Sequence, residues 1–145
     1  MKIVQVTENK KRWLPLLLQA DESEAQINQY INRGDCYIGC IDQQVIGIAV
    51  FTKEEGYIEL KNFAIEEKYR GQGFGKQLLR QLLVMYQGEQ LRVGTGDNGV
   101  NISFYEACGF KVVSRIPNFF VTHYEQPVID RGRLLIDMII LEQQL

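Results

Sequence analysis

The sequence predicts a single α/β domain over residues 1–145, with a mixed central sheet flanked by helices. Three observations predict it. The length suits one domain, and 46% hydrophobic and 23% charged residues are typical of a globular protein. Strand-like and helix-like patterns alternate along the chain. No repeat, linker or low-complexity stretch divides it.

The N-terminal half predicts a short strand, a helical segment and an antiparallel meander. Residues 10–33 have the pattern of one or two helices closed by Gly34. Two strand patterns then meet at the turn "DQQ", and "EEG" leads into a third, so all three are expected to pair as neighbours. The strand patterns of this half fall at residues 3–6, 36–41, 45–52 and 57–65.

The C-terminal half predicts two helices and three strands. Apolar residues recur at helical spacing after a glycine-rich stretch, which indicates an amphipathic helix. The second helix is expected over residues 98–108, where Gly109 ends it. The predicted strands are residues 90–96 and a final pair, 110–116 and 133–145. The apolar positions of the first helix are Leu78, Leu79, Leu82, Leu83 and Tyr86.

Composition excludes several classes of partner. With 16 basic and 18 acidic residues the net charge is -2, so no basic face is expected for nucleic acid or an anionic membrane. No apolar run approaches the ~20 residues of a membrane span, and the first residues lack a signal core. We therefore expect a cytoplasmic protein. Three cysteines without zinc spacing and one histidine predict no metal site.

Gly71, Gly73 and Gly75 stand directly before the first of these two helices. A glycine-rich turn at a helix start forms an anion site, because the first backbone N–H groups of the helix are unpaired. A P-loop is excluded, since Arg70 stands where it needs glycine and Gln77 where it needs Ser or Thr. A dinucleotide fingerprint fails at Lys76. From the glycines alone, a phosphate site and a tight turn remain equally open.

The surrounding residues resolve that choice by resemblance. The run Arg70-Gly71-Gln72-Gly73-Phe74-Gly75 resembles the pyrophosphate loop of the GNAT acetyltransferases, which Arg70, Gly73 and Gly75 match. The stretch "DNGVNISFYEACGF" resembles the second half of that family's signature. The resemblance is firm over residues 44–116, and within the family the chain looks like a small bacterial subgroup of mostly uncharacterised members. The second motif is matched by Asn98, Tyr105, Gly109 and Phe110.

The resemblance implies a mostly antiparallel sheet that splays open between its fourth strand, 57–65, and its fifth, about 90–94. Acetyl-CoA would fill the wedge, and no metal would be needed. Asn98 would contact the cofactor, cap its helix, or do both. Pantetheine would pair with the backbone of Phe63, Ala64 and Ile65, while the pyrophosphate would be held from Arg70, Gly71, Gln72, Gly73, Phe74, Gly75 and Lys76.

The resemblance also implies catalytic roles. Tyr105 matches the tyrosine near the CoA sulfur, whose hydroxyl donates a proton to the departing thiolate; the alternative is an aromatic packed in the core. Glu59 stands five residues before Ala64, where some relatives carry a general base; the alternative is an exposed partner of Lys61. Strict strand alternation places Glu59, Lys61 and Phe63 on one face.

These features predict an N-acetyltransferase that moves an acetyl group from acetyl-CoA to a primary amine on a small molecule or peptide. The alternative is a catalytically silent module that binds acyl-CoA. The connection Pro117–Gly132 is long and aromatic, and we expect it to wall the acceptor pocket. His123 within it is expected to be structural. A monomer and a homodimer paired through the apolar C-terminal strand both remain open.

Overall fold

The computed structural model describes residues 1–145. Seven strands form one sheet in the order β1-β2-β3-β4-β5-β9-β6, and β7 and β8 form a separate two-stranded ribbon. All neighbours pair antiparallel except β4 and β5, which are parallel. The strands are β1 Lys2–Val6, β2 Asp35–Ile41, β3 Gln44–Glu54, β4 Tyr57–Ile65, β5 Gln90–Gly96, β6 Lys111–Ile116, β7 Ile129–Asp130, β8 Arg133–Leu134 and β9 Met138–Gln144.

Five α-helices connect the strands: α1 Leu14–Leu17, α2 Glu24–Asn28, α3 Phe74–Val84, α4 Gly99–Ala107 and α5 Phe119–His123. Of the one or two helices predicted before Gly34, the structure has two, with a 3-10 helix, Lys10–Trp13, in front of them. The Ser23 side chain caps α2 by accepting from the Gln26 N–H. Gly109, at φ +99°, ends α4 as expected. No helix is long and apolar enough to cross a membrane.

The sheet carries a hydrophobic core on each face. One face packs against α3 and α4, through a leucine stripe on α3 that is fully buried against Phe51, Leu60 and Leu91. The other face packs against α1 and α2, where Leu17 and Ile27 join one core cluster with residues of β2, β3 and β4. The helices therefore cover the sheet in two layers, as the α/β prediction requires. The stripe consists of Leu78, Leu79, Leu82 and Leu83.

The parallel strands β4 and β5 separate partway along their length. They pair only from Ile58–Leu91 to Leu60–Val93. Beyond that point β4 runs on to Ile65 and β5 to Gly96 without pairing to one another. The predicted splay between the fourth and fifth strands is confirmed, and it leaves two strand edges facing a wedge.

A β-bulge at Lys61 reverses the alternation of β4. Val50 pairs with Asn62 and Phe51 with Leu60, so Lys61 has no partner in β3. Leu60 and Phe63 consequently lie on the same α3/α4 face, and Asn62 lies on the other. The prediction that Glu59, Lys61 and Phe63 share one face is wrong. Because of the inserted residue, Glu59 and Phe63 lie on different faces of the sheet.

The last predicted strand begins later than expected. Arg133 and Leu134 belong to the small β7–β8 ribbon, and β9 starts only at Met138. Side chains explain the interruption: the Asp97 carboxylate accepts from the N–H groups of Ile136 and Asp137 at 3.3 and 3.4 Å. These backbone groups therefore bond to a side chain instead of a neighbouring strand.

The position of β9 accounts for its apolar residues. It lies between β5 and β6, so both of its edges are paired, and Ile139 and Leu141 on one of its faces are buried in the core that α3 and α4 cover. The free C-terminal edge of the sheet is β6, every residue of which is exposed. The protein's own core thus explains the apolar residues on one face of β9.

Candidate active site

A cavity of about 710 Å³ opens where β4 and β5 separate. Its walls come from the splayed strand ends, the loop before α3, the cavity-facing side of α4, the α1–α2 connection, and residues between β6 and β9. Every layer of the fold thus contributes to one space, the kind of concave site at which ligands bind.

The glycine loop shapes one end of this cavity. Gly71 and Gly73 have φ of +73° and +86°, and a Cβ built on either would meet no heavy atom within 4 Å. Gly73 precedes α3 without a side-chain cap, so the first amides of the helix have no side-chain partner there. Gly75 serves a different purpose: its Cβ would stand 3.3 Å from the Phe104 ring, so its absence lets α3 approach α4.

Eight of the predicted cofactor residues line the cavity, and three do not. Arg70 connects the end of β4 to the segment after α1, because its guanidinium donates to the Ile65 carbonyl at 2.9 Å and to Gln19 Oε1 at 2.6 Å. Gln72 donates to the Lys68 carbonyl and Phe74 packs edge-on against Tyr69, so both side chains turn away. The lining residues are Phe63, Ala64, Ile65, Arg70, Gly71, Gly73, Gly75 and Lys76.

Asn98 is the third predicted residue outside the cavity lining. Its Oδ1 accepts from the Val100 N–H at 2.9 Å, and its Nδ2 donates to the Asp130 carbonyl at 3.3 Å. It therefore caps α4 and ties that helix to the β7–β8 ribbon, in agreement with the capping alternative.

Tyr105 projects from α4 to the cavity wall and is 9% exposed. Its ring packs edge-on against Phe104 and Phe110, with centroids 5.2 and 5.9 Å apart. Burial, with a smaller contribution from the charge of Cys108, raises the pKa of the Tyr105 phenol above its ordinary value. The hydroxyl is thus held in its proton-carrying form.

Glu59 is not brought to the cavity. It does not line the space, and its carboxylate pairs with the Lys61 ammonium at 3.0 Å. Since the bulge turns it to the face opposite Phe63, the structure separates it from Tyr105, which lies on the Phe63 side.

Comparison with known proteins identifies the family. Residues 32–112 match the model of an acetyltransferase (GNAT) domain. The chain belongs to the GNAT acetyltransferase family. It is 30% identical to the uncharacterised N-acetyltransferase YvbK of Bacillus subtilis (strain 168), over 86% of this chain and 83% of that one.

Solved structures agree with that assignment. A GNAT acetyltransferase from Elizabethkingia anophelis with acetyl-CoA bound superimposes with a TM-score of 0.91 at 31% identity, covering 99% of this chain and 97% of that one. An IAA acetyltransferase from Bacillus cereus ATCC 14579 superimposes with a TM-score of 0.88 at 35% identity, covering 99% and 100%. This GNAT protein is accordingly an acetyltransferase that uses acetyl-CoA.

The cavity of this GNAT domain fits acetyl-CoA on its own features. The unpaired edge of β4 offers backbone donors and acceptors to an amide-containing arm. The open space above Gly71 and Gly73 leaves room for phosphate oxygens, and the start of α3 attracts negative charge. Lys76 lines the same end of the cavity.

The connection Pro117–Gly132 of this GNAT domain contributes to the cavity wall; that this part of the wall meets the acceptor stays a prediction. Phe120, Tyr124 and the segment 128–131 line the space. His123 does not: it is exposed, stacks on Phe119 with centroids 4.3 Å apart, and its Nδ1 lies 3.0 Å from the Phe119 carbonyl. The structural interpretation of His123 agrees with this position.

Sequence reasoning missed a polar network in the GNAT cavity. The carboxylate of Asp21, in the α1–α2 connection, accepts from the hydroxyls of Tyr124 and Tyr30, and Tyr30 in turn accepts from Asn62. Burial raises the pKa of Asp21, an effect opposed by its hydrogen bonds from Ser23, Tyr124 and Tyr30. The only sequence signal was the aromatic connection that contains Tyr124.

Proposed function

We propose that the protein transfers the acetyl group of acetyl-CoA to a primary amine of a small molecule or peptide, with both bound at once. One observation carries this proposal: the glycine loop, the free edge of β4 and a protonated tyrosine line a single cavity. A loop for phosphates and a proton donor in one space are what direct transfer from CoA requires.

The chain's own residues divide the work of binding. The backbone of Phe63, Ala64 and Ile65 is proposed to pair with the pantetheine arm, because these residues have no partner in β5. Amides from Gly71 to Gly75 and the ammonium of Lys76 are proposed to hold the pyrophosphate. When bound, acetyl-CoA supplies an acetyl group activated as a thioester and a thiolate leaving group.

Tyr105 is proposed as the general acid. The raised pKa of its phenol keeps the proton on the hydroxyl at neutral pH, where a departing thiolate can receive it. Its packing against Phe104 and Phe110 holds the ring in place. Glu59 has no role in this proposal, since it lies outside the cavity.

Acyl transfer is tested by incubating the protein with acetyl-CoA and a panel of primary amines, polyamines, aminoglycosides and peptides. Free thiol release and the mass of the product are measured together. We expect one class of amine to gain an acetyl group with matching thiol release. Saturable CoA binding without thiol release from any acceptor would instead support a silent acyl-CoA-binding module.

We also propose that the reaction takes place in the cytoplasm. Cys36, Cys40 and Cys108 are all free thiols, as is usual in a reducing compartment.

A further inference from the structure

The carboxylate of Asp21 accepts three hydrogen bonds from neighbouring groups. Tyr124 donates its hydroxyl to Oδ1 at 2.9 Å, and Tyr30 donates to Oδ2 at 3.2 Å. The Ser23 N–H also donates to Oδ1, at 3.2 Å. Asp21 is half-buried and lines the cavity together with Tyr124. The side chain therefore acts only as an acceptor towards the protein.

The orientation of Asn62 fixes the direction of this network. Its Nδ2 lies 3.0 Å from the Leu17 carbonyl, which can only accept, so the amide nitrogen must face that way. The same Nδ2 donates to the Tyr30 hydroxyl at 3.0 Å. Tyr30 must therefore direct its own hydrogen to Asp21. Both oxygens of Asp21 thus accept hydrogen bonds and neither donates to the protein, which is the pattern of an ionised carboxylate.

Asp21 forms no ion pair with a basic side chain of the protein. None of the ion pairs in the protein includes it. Three of the four basic residues of the cavity wall are engaged elsewhere: Lys61 pairs with Glu59, Arg131 with Asp130, and Arg70 donates to Gln19 and Ile65. The fourth, Lys76, forms no ion pair with Asp21 and belongs to the glycine-loop end of the cavity. A partly desolvated carboxylate without a counter-charge is costly to a folded protein.

Two further features of the same wall describe what would bind there. The Oδ1 of Asn62, on a side chain 3% exposed, has no hydrogen-bond partner. Phe120 stacks on Tyr124 with centroids 5.5 Å apart, and Val128 and Leu135 add apolar surface to the same cavity. The wall thus combines the Asp21 carboxylate and one unpartnered amide oxygen with aromatic and aliphatic carbon.

We propose that Asp21 binds the ammonium group of the acceptor, and that the acceptor is a primary amine carried on an apolar or aromatic body. This inference rests on the proposed function for the identity of its ligand. An ammonium supplies three N–H donors and the missing positive charge, while the apolar body packs on Phe120 and Tyr124. Asp21 thereby selects a charged amine over a neutral isostere of the same shape.

The test uses 2-phenylethylammonium as probe and 2-phenylethanol as its neutral isostere, titrated calorimetrically into the CoA-saturated protein. We expect saturable binding of the ammonium and at least ~10-fold weaker binding of the alcohol, because only the ammonium makes a charge-assisted bond. Asp21→Asn should weaken ammonium binding ~10- to 100-fold and leave the affinity for CoA unchanged. The wild-type comparison of the two probes needs no variant to fold.

His123→Ala is the matched control, because His123 lies in the same connection as Tyr124 but outside the cavity; it should bind both probes as the wild type does. Equal binding of alcohol and ammonium, no saturable ammonium binding, or unaltered binding by Asp21→Asn would each overturn the proposal. Failure of the proposed function looks different: the ammonium would bind at Asp21 but no amine would release thiol.

Discussion

Gly73 and Gly56 offer a matched pair of substitutions that separates phosphate binding from turn geometry. Both have φ of +86°, and a Cβ on either would meet no heavy atom within 4 Å. Gly73 lies in the loop before α3 and lines the cavity, whereas Gly56 lies in the turn between β3 and β4, away from it. Alanine at either position meets the same backbone strain and the same empty space.

The expected magnitudes follow from that geometry. A side chain in the left-handed region costs about 1–2 kcal/mol, so Gly73→Ala and Gly56→Ala should lower the free energy of unfolding by similar amounts. At Gly73 we expect the added side chain also to turn the loop amides away from the proposed phosphate position. Loss of one hydrogen bond to a charged group costs about 1.5–3 kcal/mol, so CoA affinity should fall roughly 10- to 100-fold.

Two measurements decide the outcome. Urea unfolding of both variants measures the cost to stability, and calorimetric titration with CoA measures affinity on the folded proteins. We expect equal losses of stability and a loss of CoA affinity in Gly73→Ala only. If Gly73→Ala binds CoA as tightly as Gly56→Ala does, the loop glycines serve the turn alone and the pyrophosphate site must lie elsewhere.

Three further substitutions test the site. Tyr105→Phe keeps the ring packing and should lower kcat ~10²-fold with acetyl-CoA affinity nearly unchanged; wild-type turnover in this variant would refute the acid role. Because burial raises the pKa of Tyr105, the kcat profile of the wild type should show no alkaline limb from this phenol below its ordinary value of ~10, and a limb there that Tyr105→Phe abolishes would contradict that direction. Glu59→Gln should leave kcat unchanged in steady-state assays, since Glu59 pairs with Lys61 outside the cavity; a tenfold or larger loss would restore the base role. The pKa of Asp21 is higher in the folded state than in the unfolded state. Its contribution to the free energy of unfolding is therefore fully present at low pH and is lost as pH rises through the raised pKa. In urea unfolding, the free energy of unfolding of Asp21→Asn minus that of the wild type should therefore increase as pH rises from about 4 towards neutral. A decrease of this difference would mean that the pKa of Asp21 is lowered in the folded state.

Much of the fold was predictable because its signals are local. The leucine stripe of α3 follows helical spacing, and Asn98 and Gly109 mark the two ends of α4 through their own side-chain and backbone properties. Helix α5 was not predicted, since its five residues carry no periodic pattern of their own. The late start of β9 depends on Asp97, whose carboxylate arrives from 39 residues earlier in the chain.

By itself the sequence determined the family, the order of the elements, the glycine loop and the position of Tyr105, because each depends on residues close together in the chain. Only the tertiary structure decided which polar groups line the cavity. The bulge at Lys61 removes Glu59 from the cavity, and it exists only in the pairing of β3 with β4. Asp21 meets Tyr124 across 103 residues, a contact set by how the layers pack and invisible to any local pattern.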